Sequence, residues 1–67
     1  MTSAAERAQI FAAQGQTCRA VAMYRKIVEI DPSAENLTML AELYAQQGLH
    51  EDSVELHLRV VKMGLGR

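Results

Sequence analysis

The chain has 67 residues, with 7 Lys and Arg set against 8 Asp and Glu, for a formal charge of −1 at pH 7. At that length it forms at most one small domain, which buries only ~60% of its unfolded surface, and a single cysteine leaves no disulfide to compensate. Both signs of charge are interspersed and aromatics are 4% of residues, so there is no electrostatic case for nucleic acid or for an anionic membrane.

The first helix is predicted to open at Thr2 or Ser3. Ser3-x-x-Glu6 fits a capping box, in which the serine oxygen and the glutamate each satisfy a free backbone N–H. Ala4, Ala5, Ala8, Phe11 and Ala12 then make an apolar stripe with Ile10 beside it, and Gly15 stops the helix. Thr17 is the expected cap of a second helix, whose apolar positions Ala20, Val21, Tyr24, Ile27 and Val28 follow amphipathic spacing. Arg19, Arg25, Lys26 and Glu29 fall mainly on its other side. Asp31-Pro32 ends it, because a residue before proline is pushed out of the α region.

Ser33 is placed to cap a third helix, with Glu35 in the first turn complementing the dipole. Its body, LTMLAELYAQQG from Leu37 to Gly48, sets Leu37, Leu40, Ala41 and Tyr44 on one face. Gly48 is suited to the left-handed conformation that ends a helix, and Leu49 to folding back as the apolar partner of that cap. The fourth helix starts near His50, with Glu51 and Asp52 at its positive end and Arg59 and Lys62 toward its negative end. Val54, Leu58, Val61 and Leu65 form one stripe, while Leu56, Val60 and Met63 fill much of the remaining circumference. A helix this apolar all round expects neighbours on more than one side. No segment alternates at period two and no Asn-Gly or Asp-Gly hairpin signal occurs. The fold class is therefore all-α, with four helices in two antiparallel hairpins.

A second pattern overlies the first. Ala8 and Ala41, Phe11 and Tyr44, Gly15 and Gly48, Ala20 and Ser53, and Tyr24 and His57 are each 33 residues apart. A fixed period in this range, with helical spacing inside each copy, signals stacked repeats. The second copy supplies Leu37-x2-Leu40-Ala41-x2-Tyr44, and the first supplies Ala20-x3-Tyr24 followed by Pro32. Together these resemble the tetratricopeptide repeat, W-x2-L-G-x2-Y, then A-x3-F, then P. Ala4 and Arg7 depart from it where a large aromatic and a leucine are usual, as do Ser53, His57 and the 33-residue period in place of 34. The resemblance covers nearly the whole chain. It implies one domain over residues 1–67, with repeat 1 at about 2–32 and repeat 2 at about 33–65. The two would stack as a short solenoid packed through Ala8, Phe11, Ala20, Tyr24, Pro32, Leu40, Ala41 and Tyr44.

Residues of types able to carry chemistry point elsewhere. His50 and His57 are two helical turns apart, but a metal site would need a carboxylate or thiolate converging on them, and Cys18 is distant in sequence. Glu51 and Glu55 lie near, as they do on many solvated helix faces. His57 stands at the repeat's aromatic position, so packing is its expected task. Cys18 opens a helix, where thiols can be activated, yet no histidine is placed beside it, and a lone thiol usually serves as a small packing residue. No phosphate loop, paired-carboxylate motif or serine elbow occurs. The expectation is a non-enzyme with no catalytic, cofactor-binding or metal-binding residues. Glu6 and Arg7 and the lack of an apolar core argue against a signal peptide, and no window approaches the ~18 apolar residues of a membrane span, so a cytoplasmic protein is expected. The single cysteine fits a reducing compartment.

In the tetratricopeptide family the first helix of each hairpin lines a concave groove for a peptide or helix of a partner protein. Carried over, the groove candidates are Ala5, Gln9 and Ala12, with Thr38, Glu42, Ala45 and Gln46 in the second repeat. The family members that grip chaperone C-terminal carboxylates use lysine, arginine and asparagine there. None stands at these positions, so no such receptor is expected. A groove of Ala, Gln and Thr suits an apolar or helical ligand, with Glu42 favouring a basic group. The alternative is homo-oligomerisation. Two repeats are fewer than the three typically needed, so Val54, Leu58, Val61 and Leu65 are expected to be covered by a second copy or by further sequence.

Overall fold

The computed structural model describes the backbone of residues 3–65 and the side chains of residues 3–64. It contains helices α1 (Ala4–Ala13), α2 (Thr17–Ile30), α3 (Ala34–Gln46) and α4 (His50–Leu65), with no strand among the described residues. Thr2 lies outside the described residues, and Ser3 occupies the first cap. Ser3 is extended (φ −72°, ψ 164°) and its Oγ accepts from the Glu6 N–H at 3.2 Å. Ser33 repeats this at the start of α3 (φ −71°, ψ 157°), where its Oγ accepts from the Asn36 N–H at 3.2 Å. Each serine satisfies one of the four N–H groups that a helix start leaves without an intrahelical partner.

The bends inside the two hairpins have the same chemistry. Gly15 (φ 80°) and Gly48 (φ 81°) are the positive-φ residues of the described chain. Around the first, the Gly15 N–H donates to the Ala12 carbonyl at 3.1 Å and the Gln16 N–H to the Phe11 carbonyl at 2.8 Å. Around the second, the Gly48 N–H donates to Ala45 at 3.1 Å and the Leu49 N–H to Tyr44 at 2.9 Å. This is the Schellman closure, which satisfies the last carbonyls of α1 and α3. The backbone half of the expected Leu49 cap is thus formed, and the Leu49 side chain stays exposed.

The closure also displaces Thr17 from the predicted cap. The residue that completes the bend, Gln16, is already the N-cap of α2: its carbonyl accepts the first helical bond from Ala20 at 3.1 Å, and no side chain caps that end. Thr17 is therefore the first residue inside the helix. Leu49 plays the same double role before α4, accepting from the Ser53 N–H at 3.0 Å.

The link between hairpins is built differently. Asp31 leaves the helical region (φ −136°, ψ 84°), Pro32 follows, and the Ser33 N–H donates to the Asp31 carbonyl at 2.9 Å. Asn36 reaches back from the first turn of α3, its Nδ2 donating to the same carbonyl at 3.1 Å. Pro32 itself is exposed. Its expected part in repeat packing is corrected: it acts by ending α2 and not by filling space.

Packing runs in chain order, α1 on α2, α2 on α3 and α3 on α4. The buried core is Ala8, Ala20, Val21, Tyr24, Leu37, Leu40, Ala41, Leu43 and Leu56. All but Ala8 and Leu56 come from α2 and α3, so the core centres on those two helices. Phe11 and Tyr44 are half-buried against it, and the Arg19 guanidinium lies 5.7 Å from the centre of the Phe11 ring, within cation–π range. The Cα trace measures 34 × 30 × 15 Å. Two packed helices, at ~8–10 Å between axes with a Cα radius of ~2.3 Å on each outer side, account for the short dimension.

Candidate functional site

A helix with a neighbour on one side only should bury one stripe and solvate the rest. On α4 the buried stripe is Ser53 and Leu56, with Val60 partly buried against the core. They recur at spacings of three and four, which is one helix face. The opposite face is where the physics is unusual. Val54 is 56% exposed, Leu58 54% and Val61 53%, again at spacings of four and three. Leu65 continues that spacing and closes the helix, and its side chain lies outside the described residues.

At 100° per residue, Glu51, Glu55 and Lys62 flank this apolar row on one side, and His50 and His57 on the other. A shallow, open hollow of about 380 Å³ lies over its first half, lined by His50, Glu51, Val54, Glu55 and Leu58. Scattered exposed hydrophobic residues are ordinary on any surface, but three in one unbroken row are not.

The other end helix is unlike α4. Leu37, Leu40 and Leu43 are all buried in α3, which packs against helices on two sides. The residues 33 positions earlier in α1 are Ala4, Arg7 and Ile10, and all three are exposed. The end of the stack at α1 thus presents a small, a charged and an aliphatic side chain, whereas the end at α4 presents a continuous aliphatic row.

The groove candidates divide by burial. Ala5, Ala12 and Thr38 are half-buried, and Gln9, Glu42, Ala45 and Gln46 are exposed. Ala5 is tied down through its carbonyl, which accepts from the Tyr24 hydroxyl at 3.4 Å. Besides the hollow on α4, two further hollows are lined by Gly48–Asp52 and by Ala22, Arg25, Lys26 and Glu29. None of the three involves a groove candidate.

His50 is exposed, and so is His57, contrary to its expected packing task. The reason lies in the neighbours. Tyr24, its counterpart in α2, is fully buried because α2 has α1 on one side and α3 on the other, while α4 packs chiefly on α3. Among the described residues no three His, Cys, Asp or Glu side chains come together as a metal site. Cys18 is exposed and accepts a hydrogen bond from Gln47 Nε2 at 3.3 Å. That contact joins the start of α2 to the end of α3. No helix among the described residues is long and apolar enough to cross a membrane.

Sequence spacing missed two buried leucines as core positions. Leu43 falls outside the single stripe drawn on α3, and only a second neighbour widens that stripe enough to include it. By spacing Leu56 falls among the residues filling the circumference of α4, yet with Ser53 it defines the inward face. The 33-residue correspondence held the clue for Leu56, since it stands opposite Met23, also packed against the core. Comparison of the chain with protein-family models, with curated proteins and with solved structures finds no match.

Proposed function

We propose that the chain is a non-catalytic protein–protein interaction module, made of two tetratricopeptide-like helix pairs stacked as a short solenoid. The observation that carries this reading is the repetition of one bend at a spacing of 33 residues. Gly15 and Gly48 share a backbone conformation and a hydrogen-bond pattern, and the small residues Ala8, Ala41, Ala20 and Ser53 are all buried at that same period. Small residues at the contacts let helices approach closely, and stacked helix pairs of this kind serve as binding scaffolds. In this reading the face carrying Ala5, Gln9, Ala12, Thr38, Glu42, Ala45 and Gln46 receives an apolar or helical segment of a partner protein, with a basic group beside Glu42.

The test is selection of binders from a display library of amphipathic helical peptides, followed by measurement of their affinity for the double variant Glu42→Lys, Gln46→Lys. Peptides selected on the original chain should bind the variant at least about tenfold more weakly, with helix content unchanged. Peptides that bind both equally would refute this face.

A second reading is favoured by the exposed row on α4: self-association, with a homodimer as the product. The two readings use different surfaces of the same fold.

A further inference from the structure

The self-association reading can be taken to a specific arrangement, which rests on it. We infer that α4 pairs with α4 of a second copy, antiparallel about a two-fold axis at Leu58, so that two chains close into a dimer.

Three observations lead there. The first is the row itself. Val54, Leu58 and Val61 are each more than half exposed, and Leu58 lies in the middle. Turning a second α4 end for end about Leu58 places Leu58 against its own copy. It also places Val54 against the partner's Val61, because the two stand four and three residues from the centre. Aliphatic side chains then meet from Val54 through Leu58 to Val61.

The second observation is the charge on the flank. Glu55 and Lys62 lie on the same side of the row, three and four residues from Leu58. The reversal that matches the valines also sets Glu55 beside the partner's Lys62, twice in each dimer by symmetry. A parallel pairing would instead set this flank against the partner's His50 and His57 flank, so that Glu55 and Lys62 would not meet across the contact. Complementary flanking charges select partner and direction, and these select antiparallel. The helix dipoles agree, since each positive N-terminal end then lies beside a negative C-terminal end.

The third observation concerns the opposite end of the molecule. An open array would have α1 of one chain packing on α4 of the next. The α1 positions that correspond to the buried leucines of α3 are Ala4, Arg7 and Ile10, and Arg7 would bring a guanidinium against the aliphatic row. Taking a charge out of water against aliphatic side chains is costly. The patch on α4 is instead self-complementary, which is the condition for an isologous contact that closes after two copies.

A single helix face makes a contact at or below ~1,200 Å², the small end of specific interfaces. The equilibrium is therefore read by sedimentation and light scattering on the full chain over about 10 µM to 1 mM, a range suited to affinities weaker than nanomolar. The mass should rise from 7.4 kDa toward twice that value and stop there. Leu58→Glu puts two carboxylates on the axis and should weaken dimerisation by at least about a hundredfold; its exposed position spares the monomer core, as far-UV circular dichroism checks. Glu55→Lys and Lys62→Glu should each weaken it by about tenfold, and the double exchange should restore it. A monomer at every concentration would overturn self-association itself. A dimer untouched by Leu58→Glu, or a double exchange that fails to restore the affinity, would overturn this arrangement while leaving self-association standing. Masses climbing past the dimer would overturn closure.

Discussion

Tyr24 shows how much a single residue carries in a chain this short. It is fully buried, it belongs to a helix with neighbours on both sides, and its hydroxyl reaches the Ala5 carbonyl of α1. Truncating a buried large aromatic to alanine removes about 3–5 kcal/mol, against a total of about 3–10 kcal/mol for a domain of this size. Tyr24→Ala should therefore abolish cooperative thermal unfolding. Tyr24→Phe keeps the ring and loses only a 3.4 Å hydrogen bond, long for a hydroxyl donor, so a change below about 1 kcal/mol is expected. A loss as large as that of the alanine variant would show the hydroxyl to be essential. Gly48 makes the converse point. Nothing lies within 4 Å of the position a Cβ would occupy, and φ is +81°, so only the handedness of the backbone opposes a side chain. Gly48→Ala should cost about 1–2 kcal/mol, roughly 4–8 °C in Tm for each kcal/mol. D-alanine at the same position, introduced by chemical synthesis, should cost nothing; an equal loss with both enantiomers would contradict the handedness argument.

At the scale of elements, the helix ends were more legible than the helix sides. Ser3 and Ser33 were readable as caps because each stands before an apolar periodic run with nothing else competing for the backbone. Thr17 was misread because the preceding bend reaches one residue further than its glycine, a hydrogen-bond fact that residue types do not advertise. The cap at Ser33 is reinforced by Asn36, whose amide holds the Asp31 carbonyl on the far side of Pro32. Ser33→Ala should cost about 1 kcal/mol, and Asn36→Ala a comparable amount. The two share one loop, so their effects should fall short of or exceed simple addition; strict additivity in urea denaturation would show that cap and loop act separately. Burial on the helix sides depended on how many neighbours each helix has. One stripe described α1 except at Ala4, which is exposed, α3 needed a wider sector to take in Leu43, and on α4 the pattern set Val54, Leu58 and Val61 apart as a row in need of outside cover without saying that Leu56 faces in. The exposed row was thus foreseeable, and the inward face at Leu56 was not.

At the scale of the molecule, most buried residues come from α2 and α3, the two helices that join the hairpins, and each of these helices packs on its own hairpin partner as well. Cutting the chain at the Asp31–Ser33 loop should leave two unfolded peptides, covering residues 1–32 and 33–67. Short isolated helices are marginal in water, and single repeats depend on their neighbours. A cooperative melt from either peptide alone would contradict this. The doubled duty of Gln16 and Leu49 constrains how such a chain can change. Each residue finishes one helix and begins the next, so these corners hold no slack. A single inserted residue would swing everything downstream by about 100°, turning the oily side of α2 or α4 away from its neighbour. Length variation is therefore tolerable only at the proline hinge, and any elongation of this architecture must proceed by whole helix pairs.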